Sequence, residues 1–508
     1  MRQGLDGSRL SPLGFAALFA SVFALAALPV ARTLILPLVD YPNHLARMAL
    51  IARLPHDPAL QQYYALAWRP IPDLAMDALV PPLLRILPLA AAGRAFVLLT
   101  FLLLGGGAAV LHRVLFGRWS AWAALAFLLL YNRLLLWGLL NFLFGLGLAL
   151  CALAASIALR DRGVALRLGF GIVVAFALYF AHLMAFGVFA VLWLGYEGGA
   201  VLRGRARGAA AARLAVATLP LLLPLCVMLA GGAAGGGDVR FGQPWRKLDL
   251  LFSVFDLYHR PFDVACFALA VAGLGFGYWR RCLALAPGLG VPLALLALAY
   301  LVMPTDLAGA TGVDRRLPLA LGLVLCSGTA WVGSNRRVEY ACLAATAALF
   351  LLRLGTVGAS WAASDREYRA LLAGLDAIPE ASRVAIAFPA DALNVSATPL
   401  AHFAVLAAAR RDAFVPTLFA RPTQQPVVLR PPYRTLAAET SPDRLWTALA
   451  MGATPLDPAA RATLARYDVI AFAGLRPFTL ADATGLEPLF RAPRFQLYRI
   501  APRGEKLR

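Results

Sequence analysis

Long apolar runs separated by short, arginine-rich loops constrain this chain more than any other feature of its sequence. A helix needs about 20 mostly apolar residues to span a bilayer. The composition agrees, because 61% of the residues are apolar and only 15% are charged, whereas soluble domains are less apolar and more charged. The sequence therefore predicts a polytopic α-helical membrane protein with about 11 transmembrane helices. The predicted spans are 13–36, 93–112, 119–133, 137–159, 167–182, 184–201, 213–230, 263–279, 283–303, 317–333 and 338–358.

The net charge of +20 indicates membrane topology and not a nucleic-acid partner. Most of the excess is arginine, placed in alternate short loops between the apolar runs. Positive loops face the cytoplasm, so we expect a cytoplasmic N-terminus and an extracytoplasmic C-terminus. The six cysteines lie in or beside apolar runs and show no disulfide or metal pattern. The basic clusters are Arg2/Arg9, Arg113/Arg118, Arg160/Arg162/Arg167, Arg203/Arg205/Arg207/Arg213, Arg280/Arg281 and Arg336/Arg337.

Two domains are predicted, a transmembrane domain over 1–360 and a periplasmic α/β domain over 361–508. The transmembrane domain has large outer loops at 37–92 and 231–262. The second opens on the glycine-rich stretch 231–238 and could be a mobile lid with glycine hinges, or its aromatic and arginine residues could anchor it at the interface. In the tail, alternation predicts helices at 365–377, 398–410, 441–451 and 457–467, strands at 383–388 and 467–471, an edge strand at 495–500 and a proline-rich loop at 421–435. The lone His402 on one of these helices is assigned a structural role.

The most informative motif follows the first apolar run, at 38–47. Asp40 could act as a general base, and Asp40 with His44 could bind a divalent metal ion. Arg47 could bind a phosphate with its planar fork, and Asn43 lies beside these groups. The alternative is that Asp40 and Asn43 cap a helix at the membrane surface and that Arg47 contacts lipid headgroups.

This arrangement resembles the GT-C superfamily of membrane glycosyltransferases, which use polyprenyl-phosphate sugars as donors. The shared features are one helix, an acidic residue in a large first outer loop, many further helices and an outer C-terminal domain. Within the superfamily, the chain is most similar to bacterial members related to the lipid A aminoarabinose and protein mannosyl transferases. The resemblance implies that Asp40 activates the acceptor. The chain departs from the pattern because His44, and not a second acidic residue, accompanies Asp40, so a metal requirement stays open.

Further polar residues near the predicted outer face are candidates for substrate or phosphate binding. Each also has a structural alternative, namely interfacial anchoring, helix packing or a solvated helix face. Asp73 and Asp77 are expected to share one helical face at i,i+4. The candidates are Asp73, Asp77, Asn132, Arg133, His182, His259, Arg260, Arg315 and Arg316.

The sequence thus predicts an enzyme of a bacterial inner membrane that transfers a sugar from a polyprenyl-phosphate donor to a cell-envelope glycan, lipid or protein. Asp40 would be the base of an inverting reaction. The alternatives are a transporter or flippase for a lipid-linked saccharide and a non-catalytic assembly factor. The chain shows no inverted repeat of the kind common in transporters, and an assembly factor would make Asp40 dispensable.

Overall fold

The computed structural model describes residues 9–204, 207–230, 239–307, 309–394, 398–452, 458–480 and 486–500. The glycine-rich stretch 231–238 lies outside these residues. The helices in chain order are α1 (Pro12–Arg32), α2 (Tyr41–Arg53), α3 (Pro58–Gln61), α4 (Ala75–Leu83), α5 (Leu89–Phe116), α6 (Arg133–Trp137), α7 (Leu140–Ala158), α8 (Val164–Ala181), α9 (Leu183–Leu202), α10 (Arg207–Ala230), α11 (Arg246–Phe252), α12 (Arg260–Trp279), α13 (Gly290–Val302), α14 (Leu317–Gly328), α15 (Arg336–Asp376), α16 (Ala407–Arg410), α17 (Pro431–Glu439), α18 (Pro442–Leu449) and α19 (Pro458–Leu464).

Within the described ranges, eight helices are long and apolar enough to cross a membrane, namely α1, α5, α7, α8, α9, α10, α12 and α15. They coincide with eight of the predicted spans, and α8 and α9 are separate helices that meet at His182, as expected. The chain is therefore a multi-pass membrane protein.

The other three predicted spans do not form long helices. Residues 119–133 contain a 3₁₀ segment, Ala121–Leu129, while 283–303 and 317–333 contain the shorter helices α13 and α14. Most side chains of the 3₁₀ segment and of α14 are buried by neighbouring protein. Irregular and short elements are tolerated at membrane depth where protein, and not lipid, surrounds them.

Close packing of small residues joins α5 to α7 at the centre of the bundle. A Cβ added at Gly107 would lie 2.8 Å from the carbonyl oxygen of Gly147, and one added at Gly147 would lie 2.7 Å from the backbone of Leu103. Small residues let helix backbones approach closely in membranes, where apolar side chains gain little from leaving lipid. This contact fixes the position of α7, which begins at Leu140, two positions after Gly138 of the candidate site described below.

The C-terminal part of the chain forms an α/β unit around a four-stranded sheet with the strand order β6-β8-β10-β9. β6 and β8 are parallel, and the other two pairs are antiparallel. The strands are β1 (Tyr64–Leu66), β2 (Leu283–Leu285), β3 (Asp306–Leu307), β4 (Ala310–Thr311), β5 (Thr329–Trp331), β6 (Val384–Ala387), β7 (Val427–Leu429), β8 (Val469–Ala473), β9 (Leu486–Arg491) and β10 (Phe495–Ile500).

Several expectations for this unit are corrected. Strand β10 is internal and not at the edge, because β9, which contains Pro488, takes the edge position where a missing N–H is tolerated. The expected loop 421–435 contains β7 and the start of α17, because β7 pairs with β1 of the first loop, a partner remote in sequence. The expected helix 398–410 is a 3₁₀ segment, Phe403–Leu406, followed by α16.

Helix α15 connects the membrane bundle to the C-terminal unit without a break. Its 41 residues make it roughly 60 Å long, twice the thickness of the hydrocarbon core. The expected boundary at residue 360 therefore lies inside this helix. The backbone N–H of Leu34, just after α1, donates to Asp365 of α15 at 2.6 Å. The first loop and the C-terminal unit consequently lie at the same end of the bundle, which we call the sheet-bearing end.

A buried ion pair ties α15 to α12. Arg353 donates to Asp263 at 3.3 Å and also to the carbonyl oxygens of Phe255 and Tyr131. The side chains of Arg353 and Asp263 are 4% and 1% exposed. A charge placed this deep is tolerated only where its partners are fixed in the fold.

Replacing Arg353 with Met should lower the free energy of unfolding by about 3–5 kcal/mol, because Asp263 would remain buried without its cation. Denaturation in detergent micelles measures this change. Arg410→Met is the matched control, since Arg410 pairs with Asp376 at the surface and its loss should cost no more than about 1 kcal/mol. Equal effects of the two substitutions would contradict a stabilising role for the Arg353 pair.

Candidate functional site

Asp40 lies at the start of α2, where the chain turns after leaving the first membrane helix. Its backbone N–H donates to the carbonyl oxygen of Trp137 at 3.0 Å, and its side chain does not cap the helix. The side chain is 24% exposed. Burial raises the pKa of the Asp40 carboxyl to about 7, and the nearby Arg47 opposes this shift. A carboxylate with a pKa near 7 suits a general base at neutral pH.

The turn Trp137–Gly138 packs against Asp40 and holds it in position. Gly138 ends α6 with φ +90°, a conformation that favours glycine. A Cβ added at Gly138 would lie 3.0 Å from Cβ of Asp40, which is tighter than ordinary contact. Glycine at position 138 therefore allows a left-handed backbone and also leaves room for the side chain of Asp40.

His44 faces the same turn and does not pair with Asp40. Its Nε2 donates to the carbonyl oxygen of Gly138 at 3.1 Å. Its Nδ1 is buried without a hydrogen-bond partner in the part of the chain that the structure describes. Burial, together with the nearby charge of Arg47, lowers the pKa of His44 to about 3. The ring is therefore neutral at pH 7.

The C-terminal unit contributes His402 directly to the site. Its Nε2 lies 3.5 Å from Oδ1 of Asp40, and its Nδ1 lies 3.4 Å from the amide nitrogen of Asn43. Since that amide can only donate, Nδ1 accepts and Nε2 carries the proton that faces Asp40. Burial lowers the pKa of His402 to about 4, so the ring is a neutral donor at pH 7.

Sequence reasoning missed His402 as a site residue because it is 362 positions from Asp40 and its neighbours at 399–401 and 403–409 are all apolar. Asn43 supplies the link. Its side chain donates to the carbonyl oxygen of Thr417 at 2.8 Å and accepts from the N–H of Phe419 at 2.7 Å. The predicted site residue Asn43 thus clamps the C-terminal unit onto α2.

Arg47 and Asp77 form a buried pair that joins α2 to α4. Nε and Nη2 of Arg47 donate to the two carboxylate oxygens of Asp77 at 2.7 and 2.9 Å, and the side chains are 2% and 1% exposed. The expected common helical face of Asp73 and Asp77 is absent, because α4 begins only at Ala75 and Asp73 has φ +70°. Arg47 therefore holds α2 against α4, and Asp77 occupies its Nε and Nη2 donors.

Arg315 and Arg316 lie in a 3₁₀ segment, Asp314–Arg316, just before α14. The Arg315 guanidinium stacks over the ring of Trp137 at 4.7 Å, on the turn that supports Asp40. Its Nε is without a hydrogen-bond partner among the described residues, and burial lowers its pKa. Arg133 lies within electrostatic reach of Arg315. The structure thus brings a carboxyl and a cation to the same turn, since the backbone N–H of Asp40 donates to Trp137 and Arg315 stacks on the Trp137 ring.

A second group forms around Asp73. Its Oδ1 lies 3.6 Å from Nε2 of His182, and Arg316 is close enough to interact with both groups electrostatically. His182 also begins α9, where its Nδ1 accepts from the N–H of Met184 at 3.0 Å.

The remaining predicted residues have other partners. Asn132 is fully buried and uses its amide to cap α6 and to close the preceding turn. Arg133 pairs with Asp256. His259 and Arg260 are exposed, and Arg260 pairs with Asp249 at 2.7 Å. The structure does not bring His259 and Arg260 into direct contact with Asp40.

The residues present give a divalent metal little support. Among the described residues, no three His, Cys, Asp or Glu side chains are grouped so that they could hold a metal ion. Asp40 and the free Nδ1 of His44 would supply two ligands at most, fewer than a protein-held metal usually takes. We therefore derive no step through a metal.

No protein-family model matches the sequence, and no curated protein does so. Two solved structures are similar, both of ArnT from Cupriavidus metallidurans, one bound to undecaprenyl phosphate and one in the apo state. Each covers 97% of this chain, and 100% and 99% of ArnT respectively, at 14% identity and a TM-score of 0.49. Function must be inferred from this chain's own residues.

Replacing Gly138 with Ala should lower the free energy of unfolding by about 1–3 kcal/mol and displace Asp40. The alanine would have to keep an unfavourable positive φ, and its methyl group would lie too close to Asp40. Chemical denaturation measures the loss. Gly117→Ala is the matched control, since Gly117 also has a positive φ of 70° but nothing lies within 4 Å of its added Cβ. Its expected cost is about 1 kcal/mol, from backbone strain alone. A smaller cost at Gly138 than at Gly117 would contradict the close approach.

Proposed function

We propose that this protein is a membrane glycosyltransferase that moves a sugar from a polyprenyl-phosphate donor to a cell-envelope acceptor. The observation that carries the proposal is a largely buried carboxyl, Asp40, whose pKa is raised to about 7, on the same turn as the stacked cation Arg315. This pairing offers a base for the acceptor and a cation for the leaving phosphate, the two groups that such a transfer needs.

In the proposed reaction, Asp40 takes the proton of an acceptor hydroxyl as its oxygen attacks the anomeric carbon. The bond between that carbon and the phosphate oxygen breaks, and polyprenyl phosphate leaves with the electron pair. A single displacement inverts the anomeric centre and needs no nucleophile from the protein. His402 would hold the Asp40 carboxyl in place through its Nε2–H, 3.5 Å away.

Arg315 is the proposed contact for the donor phosphate. Its guanidinium carbon lies over the ring of Trp137, 4.7 Å from the ring centroid, and its Nε retains donor capacity. A planar fork fixed by an aromatic ring suits phosphate oxygens and loses little side-chain entropy on binding. The polyprenyl chain would stay in the bilayer, since Arg315 lies two positions before the first residue of α14, which enters the bundle.

We place the sheet-bearing end outside the cytoplasm of a bacterial inner membrane. The arginine clusters lie at the opposite ends of the membrane helices, for example at the end of α5, after α7 and at the start of α15. Positive loops favour the cytoplasmic side. The N-terminus would then be cytoplasmic and the C-terminal unit would face the cell envelope.

The alternatives account less well for the site. A transporter places its polar residues near the middle of the membrane, whereas Asp40, Asp73 and Arg315 lie outside the membrane-spanning helices. A non-catalytic assembly factor would not need a carboxyl whose burial raises its pKa towards 7.

Asp40→Asn should reduce sugar transfer at least about a hundredfold, within the range for loss of a general base. The assay uses the full chain in lipid nanodiscs with a panel of polyprenyl-phosphate sugars and envelope acceptors. In the wild type, transfer should rise with pH through about 7, because only the ionised carboxyl accepts a proton. Asp391→Asn serves as the control, since Asp391 belongs to an exposed 3₁₀ segment of the C-terminal unit. Unchanged transfer in Asp40→Asn would refute the role of Asp40.

Arg315→Leu should weaken the binding of undecaprenyl phosphate by about tenfold or more, the loss of one charge-assisted interaction. Binding of undecaprenol, which lacks the phosphate, should not change. Arg85→Leu is the control, since Arg85 is an exposed arginine of the first loop. Equal losses for undecaprenyl phosphate and undecaprenol would show that the residue supports the fold and does not contact the phosphate.

A further inference from the structure

The two neighbouring arginines before α14 serve different surroundings. Successive residues of a 3₁₀ helix point about 120° apart. Arg315 stacks on Trp137, whose carbonyl oxygen accepts from the N–H of Asp40, whereas Arg316 interacts electrostatically with Asp73 and His182. The proposed phosphate contact accounts for Arg315 and leaves Arg316, Asp73 and His182 without a role. We call these three residues the Asp73 subsite.

Asp73 is held in a strained backbone conformation by contacts on both sides. Its φ of +70° is unfavourable for a residue with a side chain. Its carbonyl oxygen accepts from the side-chain amide of Asn141, and the next N–H, of Leu74, donates to the carbonyl oxygen of Phe180 at 2.7 Å. The hydroxyl of Tyr179 donates to Pro70 at 3.1 Å. Strain that the surroundings enforce in this way is typical of functional positions.

His182 presents a fixed N–H to this carboxylate. Because Nδ1 accepts from the backbone of Met184, the neutral ring carries its proton on Nε2, 3.6 Å from Oδ1 of Asp73. Burial lowers the pKa of His182 to about 4, so it is neutral at pH 7. The edge of the His182 ring packs against Phe142, with ring centroids 5.4 Å apart.

The subsite has unused hydrogen-bonding capacity. Oδ1 of Asp73 and Nε of Arg316 are buried atoms without a hydrogen-bond partner within the described ranges. Arg316 is 7% exposed and uses Nη1 to donate to Gly312 at 3.0 Å. Asp73 is more open, with 35% of its side chain exposed. Buried polar atoms are rarely left unpaired unless a ligand or water completes them.

The charges of the subsite balance, and this balance indicates the kind of ligand. The carboxylate of Asp73 and the guanidinium of Arg316 lie within electrostatic reach of each other beside a neutral imidazole, and Asp314, which also acts on Arg316, is paired with Lys247 at 3.0 Å. A charged acceptor group would therefore find no uncompensated opposite charge. A carboxylate next to N–H donors matches hydroxyl groups, each of which can both donate and accept. We propose that the Asp73 subsite binds an uncharged saccharide, and that the acceptor is therefore a neutral glycan.

The identification of the bound saccharide as the acceptor rests on the proposed function, whereas the binding of a saccharide at Asp73 does not. Binding of a neutral saccharide at Asp73 can be measured without any transfer. The proposed function names a glycan, a lipid or a protein as acceptor, and the subsite selects the first of these by its charge and hydrogen-bonding groups.

The experiment measures the binding of trisaccharides to the full chain in nanodiscs by saturation-transfer NMR. The neutral probes are maltotriose, mannotriose and galactotriose, and the charged probes are trigalacturonate and fully deacetylated chitotriose. We expect at least one neutral probe to bind wild type more tightly than either charged probe. Asp73→Asn should weaken that binding by about tenfold, the loss of a charge-assisted hydrogen bond, because Asn tolerates a positive φ and keeps the fold.

Asp73→Gly provides a second variant that cannot fail through strain. Glycine adopts the same φ without cost, so this variant should melt at or above the temperature of wild type and still lose saccharide binding. Ala381→Gly is the matched control, since Ala381 has φ +51° in the C-terminal unit, and it should bind saccharide as wild type does.

Each outcome of these binding measurements supports or overturns the inference. Unchanged binding in Asp73→Asn, preferential binding of a charged probe, or binding of no neutral probe would overturn the inference. Binding of undecaprenyl phosphate should be the same in all Asp73 variants. If Asp73→Asn loses saccharide binding while no polyprenyl-phosphate sugar supports transfer by wild type, the proposed transferase function fails and the saccharide subsite stands.

Discussion

The bilayer offers no hydrogen bonds, and this one constraint shapes the rest of the structure. Each polar group at membrane depth must find its partner inside the protein. Arg353 does so by reaching Asp263 and two backbone carbonyls across three segments of chain. Glu197, fully buried in α9, pairs with Arg160 at the end of the bundle opposite the sheet. Such pairs fix the helices against one another.

At the sheet-bearing end, the structure separates polar groups that hold the scaffold from groups that retain capacity for a ligand. Arg47, Asp77 and Asn132 are buried and engaged with other protein groups. Asp40, Arg315 and Asp73 are only partly buried and so remain accessible to a ligand. Arg47, Arg315 and Asp73 each keep an atom without a hydrogen-bond partner among the described residues, but Arg47 is only 2% exposed. Residue type alone does not make this distinction, since arginines and aspartates occur in both sets.

The candidate site is assembled from four parts of the chain that are remote in sequence. The start of α2 supplies Asp40, the end of α6 supplies the turn beneath it, the 3₁₀ segment before α14 supplies Arg315, and the C-terminal unit supplies His402. The contacts of Asn43 with Thr417 and Phe419 and the pairing of β1 with β7 hold the C-terminal unit against the first loop. The unit is therefore part of the site, and its position affects the surroundings of Asp40.

The sequence by itself determined the membrane class, eight of the spans and the strands β6, β8 and β10, because apolar length and alternation are local properties of the chain. It also pointed to Asp40 and to the pair Arg315 and Arg316. Only the tertiary structure decided what each polar residue contacts. Arg47 pairs with Asp77, which lies 30 positions away in sequence. His402 lies 3.5 Å from Asp40, from which it is separated by 362 positions. Asp73 left its expected helix because contacts with Asn141 and Phe180 hold its backbone at a positive φ. Such contacts depend on how remote segments pack, which no local pattern of residues records.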